Sequence, residues 1–259
     1  MFGGYGWTMQ NKVPDVTIYF WVIKVLATTV GETAADYLST TLHLGLVNTS
    51  LVMSAIFLVG LLVQLKTRAY VPAVYWAVVV FVSVVGTLVS DNLVDNLGIP
   101  LATTSIVFAI ALAAVFVAWW LSERTLSVHT IVTTRRELFY WAAILFTFAL
   151  GTSAGDLLSE ATGLGYPLAV LAFAGMIGLI AVAYYGFKID GVLAFWIAYI
   201  LTRPLGASIG DLLSQATKDG GLGLGTTVTS ATFLAIIVAL VIYLTRTRRD
   251  VIEVTPVPG

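Results

Sequence analysis

The chain has 259 residues, of which 59 % are hydrophobic and only 10 % charged, with a formal net charge of -1 and a mean hydropathy of +0.96. Soluble domains carry roughly 25 % charged residues, so a surface that faces water all round is excluded and no nucleic-acid partner is expected. The absence of cysteine excludes disulfides and thiolate metal sites.

The first fifteen residues include Gly3, Gly4, Gln10, Asn11, Lys12 and Asp15, without the apolar core of a cleavable signal. An apolar segment near 16–40 follows, interrupted by Lys24, Glu32 and Asp36, and then a clean one at 46–65. The alternation continues with 73–95 carrying Asp91, a clean 101–121, a polar loop near 122–137, and 138–160 carrying Asp156. It ends with a clean 168–187, then 191–216 carrying Arg203 and Asp211, and a clean 226–244. Each segment is long enough to cross a hydrocarbon layer of about 30 Å. The expected fold is all-α: a polytopic membrane protein of eight transmembrane helices with the lipid bilayer as solvent.

The interrupted segments are copies of one another. Trp21, Gly31 and Asp36 are matched by Trp76, Gly86 and Asp91, by Trp141, Gly151 and Asp156, and by Trp196, Gly206 and Asp211. Glycine always falls ten residues after the tryptophan, and aspartate five after the glycine. Each unit holds two spans, so the four repeats enter the membrane in the same direction, related by an axis along its normal. The tryptophans lie 55, 65 and 55 residues apart. The chain therefore also divides into tandem halves, 1–121 and 138–259, joined by the connecting loop 122–137.

Basic residues set the orientation. Lys12, Lys66, Arg68, Arg124, Arg135, Arg136, Lys188, Arg246, Arg248 and Arg249 fall on one set of connections, and only Lys218 on the other. Both termini are expected in the cytoplasm, with the chain in the cell inner (plasma) membrane. The repeated aspartates then sit about 10 Å to the outer side of the midplane, within the hydrocarbon half-thickness of about 15 Å. The tryptophans fall near the inner boundary, where an aromatic belt is expected.

Central charges cost roughly 2.5–3.5 kcal/mol each on insertion scales, so the interrupted helices must turn inward and leave the clean ones outside. In the first helix Lys24, Thr28, Glu32 and Asp36 share one face. The stripe recurs as Asp91 with Asp95, Asp156 with Glu160, and Asp211 with Gln215. Arg203 occupies the repeat position of Thr28, so opposite charges are expected to meet across the axis. Pro204 should kink or break its helix. His43 and His129 read as ordinary loop residues, and Gly220, Gly221, Gly223 and Gly225 as a flexible turn.

The stretch Thr133-Thr134-Arg135-Arg136-Glu137-Leu138-Phe139-Tyr140-Trp141, with Gly151 and Gly155-Asp156-Leu157, resembles a family of bacterial membrane-anchored proteins built from a repeat of unknown function. Thr28-Thr29-Val30-Gly31-Glu32 with Asp36, and Arg203-Pro204-Leu205-Gly206-Ala207-Ser208, are similar to its other blocks. The resemblance covers essentially the whole chain and implies the repeat architecture. It carries no substrate or reaction.

The residues themselves point to a transporter of a small cation, coupled to protons, and not to an enzyme. Asp36, Asp91, Asp156 and Asp211 would form the carboxylate site, with Glu32 as the proton-exchanging member. Thr28, Thr29, Thr33, Thr152, Ser153 and Ser208 would add neutral oxygens. No cofactor is expected; a divalent metal as substrate would be manganese, magnesium or calcium, held by Glu32 and the four aspartates. The alternative carrier takes an anion or organic solute through Lys24 and Arg203. An intramembrane aspartyl hydrolase, built on Gly155-Asp156 and Gly210-Asp211, and a non-catalytic sensor or assembly subunit are the readings from other classes. The sequence leaves association into a homo-oligomer open.

Overall fold

A computed structural model of the chain describes residues 11–161 and 163–251, without the side chains of residues 160 and 161. The expectations for the first ten residues and for the Glu160 side chain lie outside the described residues. Eight long helices make up the fold, and no strand occurs among the described residues. They are α1 (Ile18–Asp36), α2 (Leu46–Lys66), α3 (Pro72–Asp91), α4 (Leu101–Glu123), α5 (Thr134–Asp156), α6 (Tyr166–Phe187), α7 (Gly191–Ser214) and α8 (Thr226–Thr247). Seven are long and apolar enough to cross a membrane, which makes this a multi-pass helical membrane protein. The helix outside that set is α1, which carries Lys24, Glu32 and Asp36.

Local sequence explains the helix ends. Pro72 opens α3, where its missing N–H removes no intrahelical bond. The side chains of Thr133 and Asp190 accept from the backbone N–H groups of Arg136 and Leu193 and cap α5 and α7. The outer helices α4, α6 and α8 stop on Arg124, Lys188 and Arg248, each left-handed with φ near +55°. A cation there meets the negative end of the helix dipole. At the opposite end α1, α3 and α5 each loosen, directly after the repeated aspartate, into a five-residue π-helical turn: Tyr37–Thr41, Asn92–Asn96 and Leu157–Ala161. The Leu42 N–H reaches the Tyr37 carbonyl and the Leu97 N–H the Asn92 carbonyl, five residues back in both cases.

The four interrupted helices pack as a closed ring in the order α1, α3, α5, α7. Each repeated glycine receives the residue seven places after the next tryptophan: Gly31 against Ser83, Gly86 against Phe148, Gly151 against Arg203, and Gly206 against Thr28. The same register at all four interfaces, running in one sense, makes the ring a pseudo-fourfold. Small residues let the backbones approach, which is how helices associate where lipid removes the hydrophobic drive. The clean helices form the outer layer, with 11–17 % of their apolar windows buried against 56–72 % for α3, α5 and α7.

An outer helix packs mainly on an inner helix other than that of its own unit, although α8 also touches α7. Helix α2 lies on α3, α4 on α5 and α6 on α7, while α8 closes the circle on α1. Ser230 of α8 reaches Thr33 of α1 at 2.7 Å, and Asn92, just beyond α3, donates to Ser50 of α2 at 2.7 Å.

The repeated tryptophans do not form a lipid-facing belt. Trp76, Trp141 and Trp196 are at most 4 % exposed, and they pack with Phe20, Tyr75, Tyr140, Phe195 and Tyr199 in an aromatic layer that closes one end of the ring. Only Trp21 keeps partial exposure. The outer helices stand between the other three and lipid, so ring residues at belt depth become core. The glycine-rich segment is not a loose turn either. The N–H groups of Leu222, Gly223 and Leu224 cap the carbonyls of Leu212, Gln215 and Leu213 at the end of α7. Gly221 leaves room for the Gln215 carbonyl, and Gly223 has φ +73°.

Candidate functional site

Residues four apart on each inner helix form one inward stripe, and the ring stacks these stripes in layers. Counting from the tryptophan, the third position holds Lys24, Val79, Ile144 and Tyr199; the seventh, Thr28, Ser83, Phe148 and Arg203; the eleventh, Glu32, Thr87, Thr152 and Ala207. The aspartates come last, at the fifteenth.

Arg203 is fully buried and reaches all three other inner helices. Its Nη1 donates to the Thr28 carbonyl at 3.1 Å, and its Nη2 to Glu32 Oε2 at 3.0 Å, to Thr152 Oγ1 at 2.7 Å and to Thr87 Oγ1. Thr87 in turn donates to Glu32 Oε2 at 3.3 Å. The Arg203–Glu32 pair joins helices adjacent in the ring, α7 and α1, rather than meeting across the axis. The reason is packing: Gly206 and Gly210 bring α7 against Thr28 and Glu32 of α1. Breaking such a buried pair from one side costs about 3–5 kcal/mol, because the surviving charge keeps no counter-ion.

Lys24 lies one layer nearer the aromatic end and is also fully buried. Its Nζ sits 3.9 Å from the centre of the Phe148 ring and 4.1 Å from that of Tyr199, with no hydrogen-bond acceptor among the described residues. Two aromatic faces supply its stabilisation. Below it the hydroxyls of Tyr75 and Tyr140 bond to each other.

The carboxylates occupy the other end. Asp36, Asp91 and Asp156 end their helices half-buried, and Asp211 is buried on α7. Asp91 lies in the electrostatic field of Glu32, Asp36, Asp95 and Arg203, which ties α1 and α3 into one acidic group beside the central pair. Among the described residues no three carboxylate or histidine side chains come together in a way that could hold a metal ion. The glycines before Asp156 and Asp211 have packing roles, Gly155 facing Pro204 and Gly210 facing Glu32 and Thr33.

Of the expected neutral oxygens, Thr152 accepts from Arg203, and the Thr28 carbonyl rather than its hydroxyl does so. Thr29, Thr33 and Ser153 donate to carbonyls of their own helices, and Ser208 Oγ has no partner. His43 and His129 are exposed, His129 lying 3.5 Å from Asp15. Two pockets, of about 650 and 550 Å³, open at the aromatic end between the ring and its outer helices, lined by Trp21, Tyr184 and Phe195 and by Trp120, Arg124 and Trp196. Arg203 lines neither of them.

Sequence reasoning missed Thr87, although its place eleven residues after Trp76 matches Glu32 and Thr152. It also missed a buried cluster at the aromatic end, in which Glu137 accepts from Lys12 Nζ at 2.6 Å and from Gln64 at 2.9 Å. Lys12 further donates to the Leu65 carbonyl, so the cluster fastens the segment before α1 to α2 and α5.

Four stretches of the chain, 19–70, 74–125, 139–190 and 194–250, match the family described as Repeat of Unknown Function (DUF347). Each match begins two residues before a repeated tryptophan and takes in one inner helix and the outer helix that follows it. No curated protein and no solved structure matches the chain. With four matches spanning most of its length, the chain belongs to this repeat family.

Proposed function

We propose that the chain is a membrane transporter that moves a small cation through the four-helix ring, with protonation of Glu32 and its neighbouring carboxylates as the coupling step. In this reading α1 also crosses the bilayer, giving eight spans in four parallel pairs. Both termini face the cytoplasm and the aspartate end faces outward from the inner membrane, as the distribution of basic residues favours.

The observation that carries it is the Arg203 guanidinium held by Glu32 at the ring centre, with Asp91 in the field of that pair and of Asp36. Ionisable residues at membrane depth are costly and usually mark an ion or proton path. Arg203 acts as a built-in cation in an acidic site. An incoming cation competes with it for Glu32, and a proton on Glu32 removes its counter-charge. Divalent metals belong among the candidate substrates, bound in a state that draws the aspartates closer.

Uptake by proteoliposomes under an imposed pH gradient tests the proposal, with sodium, potassium, magnesium and manganese offered in turn. Saturable uptake of a cation that dissipates the gradient and is lost in Glu32→Gln is the expected result. Absence of cation flux, or full activity in a folded Glu32→Gln, refutes it. The second reading, an anion or organic solute carrier, is favoured by Lys24, whose Nζ has no acceptor among the described residues. Flux of anions alone, lost in Lys24→Met, would establish that reading in its place.

A further inference from the structure

The oxygens around Arg203 have the geometry of a site for a particular kind of cation. Three acceptors, Glu32 Oε2, Thr87 Oγ1 and Thr152 Oγ1, meet one terminal nitrogen, and the Thr28 carbonyl meets the other. The Phe148 ring lies 5.7 Å from the central carbon. A hard metal ion needs its oxygens about 2.0–2.6 Å from a single point. Here three converge on Nη2, whose two N–H groups they share, and the fourth lies on Nη1, so a planar cation that spans two nitrogens reaches all four.

In the pseudo-fourfold the guanidinium lies in the layer of the eleventh positions although its own residue is at the seventh. At the eleventh position three helices present an oxygen, through Glu32, Thr87 and Thr152, while α7, which supplies the guanidinium, presents Ala207. At the seventh position the other three inner helices carry Thr28, Ser83 and Phe148, none of them a cation. The Arg203 stem crosses Gly151, and the following Pro204 lacks the N–H that would bond back along α7. A helix freed of one internal bond beside its only central cation can shift and withdraw it. Lys24 and the aromatic layer close the ring on one side, and Asp36 and Asp91 lie on the other.

We propose that Glu32, Thr87, Thr152 and the Thr28 carbonyl form a binding site for compact planar organic cations of the guanidinium class, in which Arg203 is a tethered occupant. The proposal deepens the cation-transport reading, and rests on it for its role in transport.

Arg203→Ala vacates the site, and Arg203→Met vacates the head-group position while keeping a stem over Gly151. Thermal unfolding of both is followed by tryptophan fluorescence with millimolar guanidinium or methylguanidinium chloride, against sodium, potassium and tetramethylammonium chloride at equal ionic strength. A ligand of the folded state alone raises the melting temperature by mass action. The expected result is a saturable rise with the two guanidinium salts only, lost when Glu32→Gln is added. No rise, or an equal rise with sodium or potassium, overturns the proposal. Uptake of labelled guanidinium by proteoliposomes of the unsubstituted protein separates the two readings. Binding without uptake leaves the site standing and counts against transport of this cation; metal uptake without guanidinium binding does the reverse. If neither variant folds, saturable guanidinium uptake decides in their place, and its absence overturns the proposal.

Discussion

Replacing Gly86 by alanine tests the ring itself. A Cβ at Gly86 would stand 2.5 Å from Phe148 Cβ and 3.1 Å from the Ala149 nitrogen. Ordinary Cβ contacts begin near 3.4 Å, so α3 and α5 must separate by roughly 1 Å. The strain cannot spread, because each inner helix is held by two ring neighbours and packed interiors yield little. Overpacking of this kind costs about 1–3 kcal/mol and sometimes more. At about 2–4 °C per kcal/mol for a chain of this size, Gly86→Ala should lower the melting temperature by roughly 6–12 °C if the cost is near 3 kcal/mol. Gly178 on α6 is the internal control, since an added methyl there meets nothing within 4 Å. Gly178→Ala should be neutral or stabilising, by up to about 1 kcal/mol from helix propensity. The assay is intrinsic fluorescence during heating of the detergent-purified protein, read from its seven tryptophans. Equal melting temperatures for the two variants would refute the argument that close backbone approach at the repeated glycine holds the ring together.

Glu32→Gln should lose about 3–5 kcal/mol by stranding Arg203, and Glu32→Gln with Arg203→Met should lose less than the sum of the two single changes in a thermal-unfolding cycle. Tyr75→Phe removes the hydroxyl bonded to that of Tyr140 and should cost about 1–3 kcal/mol, while Tyr75→Phe with Tyr140→Phe recovers part of that loss; an additive pair would count against the bond. Asp250 holds the chain beyond α8 to Tyr70, whose hydroxyl donates to it at 2.5 Å. Burial pushes its carboxyl above the ordinary value of 3.8, and the bond from Tyr70 opposes this only in part. The native state therefore holds that proton more tightly than the unfolded chain, and stability falls as pH rises from 3.8 through the raised value. Asp250→Asn should match the unsubstituted protein in acid and melt higher at neutral pH. A difference that does not change with pH would refute this.

Much of the architecture was legible because lipid makes a few residue types conspicuous. Trp21, Gly31, Asp36 and their counterparts stand out against apolar helices, and their charges alone decide which helices turn inward. The central site was largely legible: Glu32, Arg203 and Thr152 could be named, whereas Thr87 is ordinary in such a helix and gains meaning only as the repeat equivalent of Glu32. The tryptophans misled because their depth was readable but their shielding was not. A belt and a core layer differ only in whether α2, α4, α6 and α8 stand in the way.

The sequence by itself thus determined eight helices, their alternation of inner and outer, the fourfold register and the identity of the charges at the ring centre. Each is a property of residue type and spacing along one chain, and the cost of charge in hydrocarbon fixes its consequence. Only the tertiary structure decided the circular order of the ring, the placing of each outer helix on the next unit's inner helix, and the seat of Arg203 among Glu32, Thr87, Thr152 and Thr28. Four equivalent parallel helices present the same faces to one another, so their neighbours are chosen by how side chains such as Ser83, Phe148, Arg203 and Thr28 fill the space above each glycine. That fit between surfaces distant in sequence is not written in the spacing of any one of them.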